Sequence, residues 1–97
     1  MKKTNKTAAE RLYKAILSLT TIEECRHFFE DVCTIQEMQS MAQRFDVACQ
    51  LSRDKSYADV NLSTGASTAT ICRVGKCLHY GSGGYRTVIK RLEKEGE

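Results

Sequence analysis

Apolar positions recur at helical spacing through most of this chain. Ala8, Leu12, Ala15, Ile16 and Leu19 share one face of a first predicted helix, and Tyr13 and Leu17 widen that stripe sideways. Ile22, Cys25, Phe29 and Val32 stripe a second helix, with Phe28 at its margin. Met38, Met41, Ala42, Phe45, Ala48 and Cys49 stripe a third, and Val47 and Leu51 lie roughly opposite Met38. Start signals precede these runs. Thr7, Thr21 and Thr34 each stand three residues before a glutamate, the spacing of a capping box, in which the hydroxyl accepts from an orphan N–H and the carboxylate reaches back. Ser56 and Asp59 form a weaker fourth case because the aspartate is shorter. No sustained alternation or Asn-Gly hairpin marks a strand. The pattern predicts an all-α protein.

The stripes are wider than one small core requires, and a helix apolar on two sides needs cover on two sides. A chain of 97 residues has room for one core, so residues 1–97 are expected to form a single domain whose second cover comes from another protomer. This predicts an interlocked homodimer. No apolar run approaches the roughly 20 residues of a membrane span. The start, Met1-Lys2-Lys3-Thr4-Asn5, has no signal-peptide core, so a cytoplasmic protein that enters no membrane is expected. Five cysteines, at 25, 33, 49, 72 and 77, form no C-x-x-C, and His27 and His79 complete no ligand pattern; they read as reduced thiols, with no metal.

Charge changes the picture more. The net +3 is segregated: residues 1–22 carry +4, residues 23–59 carry −4, and Val60 to Leu92 contains no Asp or Glu but five Lys and Arg. A carboxylate-free stretch of this length suits a surface that faces a polyanion. Inside it, Ser56 to about Ser63 reads as a short helix, Thr64-Gly65-Ala66 as a tight break, and Ser67 as the N-cap of a second helix reaching Tyr80. Two short helices joined across a glycine turn form a helix-turn-helix, here about residues 56–80, whose second helix enters the DNA major groove. Ile71, Val74 and Leu78 mark its inner side; Ala69, Cys72, Arg73, Lys76 and Tyr80 lie opposite. Thr68, Ala69 and Cys72 are small enough to approach base edges, while Ser67, Thr70 and Lys76 suit phosphates.

The segment Gly65-Ala66-Ser67-Thr68-Ala69-Thr70-Ile71-Cys72-Arg73, followed by Leu78, resembles the turn and recognition helix of the Trp repressor superfamily. The run from Thr34 through Glu37 to Arg44, with Val47 and Leu51, is similar to that family's central helix and the turn before it. Tyr80-Gly81-Ser82-Gly83-Gly84-Tyr85 is closer to its YerC/YecD-type, Trp-repressor-like members. The resemblance covers about residues 8–92 and implies a helical protomer with a helix-turn-helix, intertwined as a homodimer on double-stranded operator DNA. It also implies an effector pocket in which Arg44 and Arg73 sandwich an amino-acid-like ligand beside Thr34. The residues alone favour for Arg44 a salt bridge to a carboxylate of the acidic middle segment. Val74 and Cys77 replace a glycine and a serine of the family pocket, which argues against L-tryptophan as that ligand. Ala58 and Asn61 stand where the family carries basic residues, and Leu62 is unusual beside them; the sequence assigns Asn61 and Leu62 no role.

The expected function is a sequence-specific transcriptional regulator, a repressor, that needs no cofactor. The rival is a helical adaptor that docks a protein on its acidic middle segment and binds nucleic acid only non-specifically. Catalysis is not expected, because Cys72 or Cys77 with His79 share one helix and have no third orienting group.

Overall fold

A computed structural model describes residues 2–96; Met1 and Glu97 lie outside the described residues, as do the side chains of Lys2 to Asn5 on which the N-terminal expectation rests. The described residues form six helices and no strand: α1 (Lys2–Leu17), α2 (Ile22–Val32), α3 (Ile35–Ser52), α4 (Tyr57–Thr64), α5 (Thr68–Tyr80) and α6 (Gly84–Lys94). The all-α expectation holds. The chain divides into two compact units, residues 1–38 and 39–97.

The first unit contains α1, α2 and the start of α3. Its helix starts only partly follow the expected boxes. Thr7 caps nothing, because α1 begins at Lys2 and runs straight through it. Thr21 caps α2 by accepting from the Glu24 N–H at 3.0 Å, but the Glu24 carboxylate reaches one residue too far, to the Thr20 N–H at 2.9 Å. Thr34 and Glu37 complete the full box: the Thr34 hydroxyl accepts from the Glu37 N–H at 3.1 Å and the Thr34 N–H donates to the Glu37 carboxylate at 2.8 Å. Phe28 and Phe29 meet edge to face with centroids 5.5 Å apart, a favourable aromatic geometry. No residue of α2 is buried, and Leu17 and Ile22 stand 83% and 76% exposed.

The second unit contains the core. Val47, Ala48 and Leu51 of α3 pack with Val60 of α4, Ala66 of the following turn, Ile71, Val74 and Leu78 of α5, and Ile89 of α6. Burial of each Val, Leu or Ile side chain among them contributes about 1.5–3 kcal/mol. Of the expected α3 stripe, Ala48 is buried and Phe45 and Cys49 pack against the core, but its N-terminal part is left uncovered. The Val47–Leu51 side faces the core, whereas Met38 and Ala42 are exposed and Met41 is half-buried. Phe45 and Cys49 cover the edge of the core with Tyr85, whose ring stacks on Phe45 at 6.5 Å. α4 packs on α5, and α5 on α6.

Candidate nucleic-acid interface

The pair α4–α5 follows from local chemistry. The Ser56 hydroxyl accepts from the Asp59 N–H at 3.1 Å and starts α4. Gly65 ends it in the left-handed conformation (φ 73°), which a residue with a Cβ rarely adopts. Its N–H closes the helix on the Asn61 carbonyl at 2.9 Å. The Ser67 hydroxyl then caps α5 by accepting from the Thr70 N–H at 3.1 Å, and itself donates to the Thr70 hydroxyl at 3.1 Å.

Three side chains hold the turn between them. Gln43 of α3 donates to the Thr64 carbonyl at 3.2 Å, Asn61 donates to the Ala66 carbonyl at 2.8 Å, and the Thr64 hydroxyl accepts from the Ala66 N–H at 3.1 Å. Such polar groups cost about 1–3 kcal/mol each when buried without a partner, so the bonds keep the turn compact without penalty. Gln43 is invisible to local reading, since it lies 21 residues from its acceptor. Gly75 is a second hidden determinant. A Cβ there would stand 2.7 Å from the Tyr57 hydroxyl and 3.7 Å from Leu51, so α5 meets its neighbours there through bare backbone.

The inner face of α5 is Ile71, Val74 and Leu78, each buried, with Ile71 only 1% exposed. On the other side Ser67, Thr68, Ala69, Cys72, Arg73, Lys76 and Tyr80 are exposed, while Thr70 is half-buried and occupied with Ser67. The residues expected to contact DNA therefore come together along α5 and its cap, on a helix with no carboxylate. Arg86, exposed at the start of α6, donates its Nε–H to the Leu78 carbonyl at 2.7 Å and closes the last turn of α5.

The expected effector residues are less unified. Thr34 belongs to the first unit, where its hydroxyl and amide are both engaged in the α3 cap. In the second unit Arg44 is half-buried on α3, has no ion-pair partner among the described residues, and Arg73 is exposed on α5. Val74 is spent in the core. An apolar cavity of about 530 Å³ opens between Phe45, Cys77, Ser82, Tyr85 and Val88, and neither Arg44 nor Arg73 lines it. Among the described residues, no three His, Cys, Asp or Glu are placed to hold a metal ion, and no helix is long and apolar enough to cross a membrane.

Comparison with known proteins agrees with this geometry. A family model for the Trp repressor protein matches residues 8–93. The uncharacterized protein YerC of Bacillus subtilis is 47% identical over 85 residues, which span 88% of this chain and 82% of YerC. A Trp-repressor-like protein of Eubacterium eligens, known by its crystal structure, superimposes with a TM-score of 0.88 at 49% identity and 96% coverage of both chains. A Staphylococcus aureus protein provisionally named a Trp repressor superimposes with a TM-score of 0.86 at 41% identity, over 90% of this chain and 87% of that one. With its six-helix fold and its α4–turn–α5 motif, this chain belongs to the Trp repressor family.

Proposed function

We propose that this protein is a sequence-specific DNA-binding transcriptional regulator, a repressor, that acts as a homodimer with one helix-turn-helix (residues 56–80) per protomer and the whole chain as one functional domain. The observation that carries the reading is the two-sided character of α5. Its inner side is buried aliphatic core, and its outer side is small, hydroxylated and cationic with no acid nearby in sequence. Thr68, Ala69 and Cys72 meet base edges; Ser67, Thr70 and Lys76 meet phosphates. Membership of a regulator family supports the same assignment. The apolar residues that α1 and α2 leave exposed support the second protomer.

The direct test is selection of binding sites from random duplexes, followed by anisotropy on the selected and a scrambled duplex at two salt concentrations. A near-palindrome with half-sites about 34 Å apart, bound at least about a thousandfold more tightly than the scrambled duplex, is the expected result. Equal binding to every duplex that collapses with salt overturns it and favours the adaptor reading. No cofactor and no catalytic step enter this proposal. An amino-acid-like effector at Arg44 and Arg73 is compatible with it, but L-tryptophan is not the proposed ligand. Titration with L-tryptophan is expected to leave the melting temperature unchanged, whereas a rise that scales with concentration contradicts this.

A further inference from the structure

We infer that Asn61 is a positioning residue for DNA recognition, one that sets the direction in which α5 leaves the turn. The inference rests on the DNA-binding reading above. Asn61 grips the turn twice: its backbone carbonyl accepts from the Gly65 N–H at 2.9 Å, and its side-chain amide donates to the Ala66 carbonyl at 2.8 Å. The two bonds fall on either side of the left-handed Gly65, the one residue of the turn whose own sterics would permit it to swing. Ala66 is itself anchored, 1% exposed in the core, with its N–H on the Thr64 hydroxyl at 3.1 Å. The next residue is Ser67, whose hydroxyl must remain 3.1 Å from the Thr70 N–H to cap α5.

Rotation of the Ala66–Ser67 peptide would therefore break the cap and tilt the first turn of α5. That turn carries Thr68, Ala69 and Thr70, and base-edge contacts tolerate only about 0.5 Å and 10–20° of misplacement. No other protein donor reaches the Ala66 carbonyl among the described residues, so the role falls on the Asn61 carboxamide.

The test compares the full-length wild type with Asn61→Leu, which keeps the bulk without the donor, and Asn61→Asp, which is isosteric but sets an oxygen against the Ala66 carbonyl. Each is titrated against the selected and the scrambled duplex at one salt concentration, with far-UV circular dichroism to verify the helices. Any charge effect of the aspartate falls on both duplexes alike, so the ratio of the two affinities isolates positioning. That ratio is expected to fall about tenfold in both variants. Hydrogen exchange at the Thr70 amide is expected to accelerate in the free protein, alongside a drop in melting temperature from the Ala66 carbonyl that both variants leave without its donor. A wild type that discriminates while both variants keep its ratio within about twofold and its Thr70 protection overturns this inference alone. A wild type that binds both duplexes alike overturns the DNA-recognition reading, and this inference with it.

Discussion

α2 and α5 are both short amphipathic helices, yet they end differently. α5 buries Ile71, Val74 and Leu78 beneath α4, α3 and α6, whereas α2 exposes Ile22 and Val32 and buries nothing. Each starts at a hydroxyl cap of the same kind, Thr21 or Ser67, with an acceptor distance of 3.0 or 3.1 Å. The caps and periodicity therefore do not distinguish them. The difference is cover: within the second unit three helices close over one face of α5, while the first unit leaves its apolar stripes open. A helix pattern selects the face that must be buried, and the rest of the fold decides whether it is.

The largest expected effect lies at the covered end of this comparison. Ile71→Ala should destabilise the protein by about 2–5 kcal/mol in urea unfolding, through lost burial and the cavity left behind. A change below 1 kcal/mol would mean that the α5 face is no better packed than that of α2. Next comes the uncovered end. If a second protomer covers α1, Leu17→Ser should weaken the dimer by about 1–3 kcal/mol, so that the light-scattering mass falls toward one 10.9 kDa protomer on dilution. An unchanged mass and melting curve would leave α1 without a partner.

Gly75→Ala probes the close approach beneath α5. The new Cβ meets the Tyr57 hydroxyl at 2.7 Å, and about 1–3 kcal/mol of destabilisation is expected. Removal of that hydroxyl in the double variant with Tyr57→Phe should recover most of the loss, and no recovery would place the strain elsewhere. The smallest effect compares two predicted caps. Ser67→Ala should cost about 1 kcal/mol in thermal or urea unfolding, because it leaves the Thr70 N–H without its acceptor. Thr7→Ala, in the interior of α1, should change stability by less than about 0.5 kcal/mol. Equal losses from the two substitutions would restore Thr7 as a cap.

Much of the candidate site was legible because its signals are local. Ser67 stands three residues from the N–H it caps, Gly65 carries the left-handed turn, and the three- and four-residue spacing of Ile71, Val74 and Leu78 marks the buried side of α5. The same local logic failed at Thr7, where threonine and glutamate at box spacing lie inside a helix that starts at Lys2. A capping box describes how a start is satisfied; it does not compel one where the helix already runs through the residues before it. It failed again on α3, where periodicity offered two faces and could not rank them. Val47 and Leu51 face the core because α4 and α5 fold back on that side.

By itself, the sequence determined the apolar stripes of α1, α2, α3 and α5, the glycine turn, the cap of α5 and the carboxylate-free stretch around it, since each is read from the order of residues along the chain. Only the tertiary structure decided what holds that motif in place. The Gln43 amide on the Thr64 carbonyl, the Arg86 guanidinium on the Leu78 carbonyl and the Tyr57 hydroxyl over Gly75 join residues 21, 8 and 18 positions apart. Side-chain chemistry names a donor or a gap along the chain, but the acceptor or the filling group is fixed only once packing of the core brings distant backbone within about 3 Å.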